Sequence, residues 1–351
     1  MTITGNSAGF SGGGICCLQS ATVNFNALNR CSLYLNNVSY RGNGSEIYSD
    51  SFINVIVDTF TVINPTDFQA APLNNFDFDI LCAMQEQVDA DLYVSAEGDN
   101  SNSGLDEQNP LQTIRYATSI IMADSLNPHT IYLAEGIYSF ESNNEFFTVD
   151  IPSGITLQGA GETAVILDAD SLTGVIRLEQ VNNVIISDLT VINGNSRVSG
   201  GGIFCESSSL NISNVTVINS SAILYGGGIY SHYSDIIMDN VTISDNNCRW
   251  QGGGMYLDHS NLQASNAQVT NNISEEGGGI YCDGSVTYWE NVTITGNRAD
   301  IVGGFYNFSQ NTTFDAQNRC NIYLNNAGSR GMGVDMFSAI EINVVVDTLP
   351  S

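Results

Sequence analysis

The sequence predicts an all-β solenoid with coils of 25–26 residues, closed at its N-terminal end by a short capping helix. Three observations carry that prediction. A phrase of three glycines, an aliphatic residue and an aromatic recurs at Gly200–Phe204, Gly226–Tyr230, Gly252–Tyr256 and Gly277–Tyr281, in steps of 26, 26 and 25 residues. A fixed period in this range marks a chain whose turns stack on one another. Each period also holds a Val, Ile and Thr-rich stretch with alternating apolar residues, such as Leu210–Ile218 and Ile236–Ile243, which reads as strand. Finally, the end of the chain repeats its beginning: Asn29–Asn37 matches Asn318–Asn326, and Ile53–Thr59 matches Ile342–Thr348, at a constant offset of 318 − 29 = 289.

That duplication sets the expected organisation. A worn copy of the phrase sits at Gly303–Tyr306 and an early one at Gly12–Cys16. Arg41-Gly42 matches Arg330-Gly331, and Thr2–Asn6 resembles Thr293–Asn297, so Met1 stands where Val292 stands, inside a coil. Residues 1–59 therefore read as the C-terminal coils of a preceding unit, 60–90 as a connector, and 91–348 as a complete unit. A tandem array of such units is the simplest parent. Within the connector, Pro65, Pro72 and Asn74-Asn75 break regular structure, while Phe76–Ile80 alternates like a strand. Phe60, Phe68, Phe76 and Phe78 give it apolar groups with which to pack down.

The second unit opens with the strand-like Asp91–Ser95 and a polar loop over 97–104. Behind Pro110, the residues Leu111, Ile114, Ala117, Ile120 and Ile121 fall at helical spacing, predicting a helix near 110–123. Laid across the first coil, it would cover an open sheet edge. Regular coils are expected over 151–348. Asp188, Asn214, Asn240, Asn266 and Asn291 share one phase of them. Asparagine tolerates left-handed backbone, so these residues predict a ladder at a corner. The glycine phrase predicts another corner, where only glycine lets successive turns approach closely.

Charge narrows the partners. With 37 acidic against 9 basic residues, all of them arginine, the formal charge is −28. Such a chain is repelled by nucleic acids and anionic membranes. No apolar run reaches the length of a membrane span, and Met1-Thr-Ile-Thr-Gly-Asn6 lacks the basic start and apolar stretch of a secretory signal. The eight cysteines show no CxxC pair and no Cys/His zinc spacing. Cys205 and Cys282 share a phase three coils apart, about 14 Å at ~4.8 Å per coil and beyond disulfide reach. They read as small buried hydrophobes. Adjacent Cys16 and Cys17 must point to opposite faces of their strand.

Coils of this length with Gly-Gly-Gly-Ile-Tyr and Asn-Val-Thr-Ile-x-x-Asn resemble right-handed parallel β-helix proteins of the pectate-lyase-like superfamily, and within it the repeats of bacterial polymorphic outer-membrane proteins. The opening from Asp91 to Tyr138 is similar to the start of secreted β-helix domains. The resemblance implies a right-handed parallel β-helix at an extracellular or cell-surface location. It does not fix an activity, since the superfamily includes lyases, hydrolases, adhesins and fibre proteins. Pectate-type lyases use a Lys or Arg base near Ca²⁺, but lysine is absent, and Arg177, Arg197 and Arg249 lie at coil positions without an evident acidic cluster. The converging Asp pattern of polygalacturonase-like hydrolases is missing too, Val165–Asp170 offering only Asp168 and Asp170. His129, His232 and His259 accompany no nucleophile motif.

Alternation along the strand after each glycine phrase identifies a candidate face. Ile203, Ile229, Met255 and Ile280 should point inward, with Cys205, Ser231, Leu257 and Cys282. Phe204, Tyr230, Tyr256, Tyr281 and Tyr306 should point outward, as should Glu206, His232, Asp258 and Asp283. Rings beside polar groups suit sugars, so Tyr230, Tyr256, Tyr281, Glu206, His232, Asp258 and Asp283 form the candidate glycan or cation face. Asp258 and Asp283, about 4.8 Å apart, would share a proton or hold Ca²⁺; no other cofactor is required. The plainer reading is a stabilising aromatic stack beside solvated acids. Glu97, Asp99 and Asn102 in the polar loop are further oxygen donors without the spacing of a calcium loop, and sequons occur at Asn211, Asn214, Asn240, Asn291, Asn307 and Asn311.

The expected role is structural and not enzymatic: a repeat unit of an extracellular fibre, stalk or adhesin whose partner is its own kind, stacked head to tail. The alternative is a polysaccharide-binding or polysaccharide-degrading β-helix.

Overall fold

The computed structural model describes the chain except residues 10, 20, 22, 39–43, 67, 125, 310, 329, 330, 332, 340, 343 and 347–351. The duplicated Arg41-Gly42, Arg330 and part of Ile342–Thr348 therefore lie outside the described residues. The chain is a right-handed parallel β-helix. Among the described residues its main body has three parallel sheets of fourteen, eight and six strands; the coils before Asn195 visit only the first two, and the later coils visit all three in turn.

One coil shows how the sequence builds them. After Gly226–Gly228, the strand Ile229–His232 joins the eight-stranded sheet. A corner at Tyr233-Ser234 leads to Asp235–Ser244 in the fourteen-stranded sheet, bent midway at Asn240. Asn246 turns the chain into the two-residue strand Asn247–Cys248 of the six-stranded sheet, and the next glycine phrase begins. Registers repeat from coil to coil: Ile203 pairs with Ile229, Ile229 with Met255, and Met255 with Ile280. Alternating Val, Ile and Leu side chains fill the interior as one continuous core. The residues predicted to point inward are all buried in it except Ser231, which is buried but polar.

Polar ladders close the corners. Asp188, Asn214, Asn240, Asn266 and Asn291 all adopt left-handed φ between 50° and 59°. Asn214 Nδ2 donates to Asp188 Oδ1 at 2.9 Å and Asn240 Nδ2 to Asn214 Oδ1 at 2.9 Å, as the shared phase predicts. Asn266 departs from the pattern by donating to Asp239. Two further ladders are buried. Asn246, Asn272, Asn297 and Asn325 each accept from the amide of the preceding coil at 2.9–3.0 Å, from Ser220 N to Asn297 N. Ser208, Ser234, Ser260, Ser285 and Ser309 accept likewise at 2.9–3.2 Å.

The predicted cap is helix α1, Ile114–Ile120, which Thr113 starts by accepting from Tyr116 N at 3.2 Å. Its apolar face, Ile114, Ala117 and Ile120, closes the end of the core. The carboxylate of Glu145, completely buried, accepts from Ile114 N at 2.5 Å and Arg115 N at 3.2 Å. Burial pushes that carboxyl up to about 7, against the opposing pull of those amides and of Arg115. Helix α2, Phe140–Asn143, follows, capped by Ser139.

Residues 1–83 build their own smaller stack. Thr2–Thr4, Cys31–Tyr34, Ile53–Phe60 and Phe76–Ala83 form a four-stranded parallel sheet over a separate core containing Leu33, Ile47, Val55, Val57 and Phe60. The expected connector over 60–90 thus contributes a coil of its own. Ala70 pairs with Ile47 and Phe76 with Ile53, because Phe76, Phe78 and Ile80 continue the inward alternation. This stack leans on α1: Gln69 Nε2 donates to Ser119 O at 3.1 Å, and the Arg115 guanidinium lies 5.3 Å from the Phe68 ring. Cys16 is exposed and Cys17 buried, Cys205 and Cys282 are buried, and all eight cysteines are free thiols. No helix among the described residues is long and apolar enough to cross a membrane.

Candidate functional site

The outer face of the eight-stranded sheet carries two parallel rows. One runs Asp150, Arg177, Phe204, Tyr230, Tyr256, Tyr281, Tyr306 and Phe337. The other runs Glu179, Glu206, His232, Asp258, Asp283 and Phe308. Strand pairing forces the side chains of each row to stack at the inter-strand spacing.

The aromatic row behaves as a stack rather than as a platform. Phe204 and Tyr230 lie 5.0 Å apart at 24°, Tyr230 and Tyr256 5.8 Å at 9°, and Tyr256 and Tyr281 5.3 Å at 12°. Tyr225, just before the glycine phrase, folds over the row with its ring 4.5 Å from Tyr256. Together with Val302, it leaves Tyr256 and Tyr281 only 7% exposed. The expectation that these tyrosines offer open faces is therefore corrected: they lie outside the sheet but are buried beneath the residues that lead into the next coil. Burial, then the charge of Asp258, drives the Tyr256 hydroxyl upward; burial, then Glu206, does so for Tyr230.

A ring stack exposes a face only at its end. Among the described residues no further ring stacks on Phe204, whose register neighbour on that side is Arg177, and Phe204 lines a groove of about 300 Å³ shared with Arg177, Glu179, Glu206, Ser196 and Ser199. Arg177 is held by Asp150 through Nε at 2.5 Å and Nη2 at 2.8 Å. Burial raises the Glu179 carboxyl above its ordinary range, opposed by Arg177. Sequence spacing alone shows no acidic cluster around Arg177. The structure supplies one, with Asp150 one coil earlier and Glu179 two residues on. The signal is present as steps of 27 from Asp150 to Arg177 to Phe204, but Asp150 and Arg177 fall in coils that lack the glycine phrase.

Next to the groove, His232 bridges the acid row, its ring nitrogens 3.4 Å from Glu206 Oε1 and 3.4 Å from Asp258 Oδ2. Asp258 Oδ1 also meets His259 Nδ1 at 2.5 Å, and Tyr233 packs between the two imidazoles at 4.4 and 5.1 Å. Asp258 and Asp283 are register neighbours, as predicted. A Ca²⁺ ion between them would have to draw Asp258 from both imidazoles and fill most of its shell with water. Among the described residues, no group of three or more His, Cys, Asp and Glu is placed to hold a metal. The polar loop serves itself: Asp99 accepts from Ser101 N, and Asn102 Nδ2 donates to Pro110 O.

Comparison with known proteins adds the following. Residues 96–173 match the family described as protein of unknown function DUF1565. No curated protein matches the chain. Among solved structures, a pectin methylesterase from carrot is 13% identical, covering 73% of this chain and 90% of that one, with a TM-score of 0.38. Pectin methylesterase PemA from Erwinia chrysanthemi is 11% identical over 75% and 94%, with a TM-score of 0.30. Pectate lyase Pel9A is 11% identical over 76% and 80%, with a TM-score of 0.35. At such values the fold of this chain rests on its own parallel pairing.

Proposed function

We propose that the chain is a polysaccharide-binding β-helix whose ligand lies along the outer face of the eight-stranded sheet. The observation that carries this reading is the open end of the aromatic stack. There a partly buried ring, Phe204, meets Arg177, Glu179, Glu206 and two serines in one groove. A flat apolar surface flanked by donors and acceptors suits the apolar face and hydroxyls of a sugar. Charge narrows the class. With Glu179, Glu206, Asp258 and Asp283 on this face and −28 overall, uronate chains are repelled, so a neutral or amino-sugar glycan fits better.

The test is calorimetry with neutral, basic and acidic oligosaccharides on wild type, Phe204→Ala and Glu206→Gln, with reducing-end release followed in the same mixtures. Saturable binding of a neutral or basic glycan, weakened about tenfold or more by Phe204→Ala, supports the reading. Binding that ignores both substitutions contradicts it. Release of reducing ends would make the groove an active site.

A second reading keeps the structural role. The sequence 29–59 recurs at 318–348, and its first copy continues directly into a further coil and then a capped stack. Units joined in that way would form a rod. Negative-stain images of the parent assembly should then show fibres with a one-unit repeat; discrete globular particles would contradict it.

A further inference from the structure

A second cavity, lined by none of the groove's residues, opens beside α2, and we propose that it binds a small organic ammonium ion with an apolar body. Its volume is about 280 Å³. Phe140, Phe146, Phe147, Ala169 and Leu172 form the apolar wall, and Asp170 supplies a carboxylate. The Phe140 and Phe146 rings lie 5.0 Å apart at 54° and remain 47% and 37% exposed. Two rings set at an angle around an open space leave π-faces for a guest.

The polar side of the cavity is unusually sparse. Glu145 lines it, but its oxygens already accept from Ile114 N and Arg115 N. The Thr173 hydroxyl is committed to Gly174 O at 2.9 Å. Asp170 differs. Its Oδ2 is, among the described residues, the one buried side-chain oxygen or nitrogen with no hydrogen-bond partner. Left-handed backbone at Asp170 and Ser171, φ 52° and 57°, fixes the turn that holds it. Burial, then the like charges of Asp168 and Glu141, raise its carboxyl, and hydrogen bonding from the backbone amides of Phe140 and Glu141 opposes that rise.

A carboxylate with one unpartnered oxygen, beside like charges and aromatic rings, selects its ligand by elimination. A free sugar needs more polar partners than one carboxylate supplies. An anion meets only repulsion. A primary or secondary ammonium fits both halves. Its N–H donates to the Asp170 carboxylate, a charge-assisted bond. Its positive charge and adjoining CH groups rest on the rings of Phe140 and Phe146.

The probe is 2-phenylethylammonium, titrated by calorimetry at about 0.15 M salt so that diffuse attraction to an acidic chain is screened. Its neutral isostere, 2-phenylethanol, serves as the control. Saturable binding of the amine is expected, with the alcohol about tenfold or more weaker. Asp170→Asn should cost the amine a similar factor and leave the alcohol unchanged. Phe140→Ala, at an exposed position, should weaken both, and Phe204→Ala in the groove should alter neither. Circular dichroism establishes that each variant is folded. Absence of saturable binding, equal affinity for the alcohol, or an amine affinity indifferent to Asp170→Asn would each overturn the proposal.

Discussion

At the scale of single residues, the molecule is held in shape by amides that have no business in a core unless a neighbouring coil answers them. Asn272 is wholly buried, yet it accepts from Asn246 N and Nδ2 and donates to Ile243 O and Asn297 Oδ1, all at 2.9–3.0 Å. Removing its side chain orphans both neighbours, so Asn272→Ala should cost roughly 3 kcal/mol. Asn240, exposed at the other corner, gives up one ladder bond and its left-handed φ of 53°. Asn240→Ala should cost about 1–2 kcal/mol. Urea unfolding of the two variants checks the order; a larger loss at Asn240 would contradict this account of the ladders. Both sets recur in sequence, at steps of 25–26 residues for the exposed ladder and 25–28 for the buried one. The exposed ladder is legible because asparagine suits a turn on its own merits. The buried one is not, since a polar residue reads as surface until the coil that satisfies it is in place.

At the scale of elements, the glycine phrase is a packing device. A Cβ on Gly253 would sit 2.3 Å from Gly278 O and 2.6 Å from Ile273 O, both backbone atoms that cannot step aside. Gly253→Ala should therefore open the stack between two coils and lower the unfolding temperature by several degrees at least, as a loss of several kcal/mol implies. Gly9, with nothing within 4 Å of its built Cβ, is the control, and Gly9→Ala should be near neutral. Thermal denaturation followed by circular dichroism decides; equal effects would mean that the close approach is not what the triplet provides. The strands, their inward residues and the capping helix are all legible from period and alternation. The fate of the tyrosines is not. Alternation says which side of a sheet a residue leaves from, but Tyr225 and Val302, which cover that side, belong to segments without a strand pattern.

At the scale of the whole molecule, one end of the stack holds both the proposed groove and a pH-responsive carboxyl. Glu145 plugs the capped end, its carboxyl pushed from 4.5 to about 7 by burial. A carboxyl that binds its proton more tightly when folded stabilises the fold below its unfolded value, and the benefit disappears as pH rises through the folded one. Stability should therefore fall between about pH 4.5 and 7, and Glu145→Gln should flatten that slope. Unfolding temperatures at pH 5 and 7.5 test this, and an unchanged difference in the variant would contradict it. The groove belongs to the same end of the sheet, where Arg177 finds Asp150 and the ring stack terminates at Phe204. The regular coils that make the fold readable bury their own aromatics. The proposed groove lies where the repeat is imperfect, and sequence periodicity is weakest there. Hydrogen exchange with and without a bound neutral or amino-sugar oligosaccharide tests the central claim most directly. The account predicts slowed exchange in 176–179, 203–206 and 229–232; protection confined to the fourteen-stranded sheet, or none at saturating ligand, would contradict it.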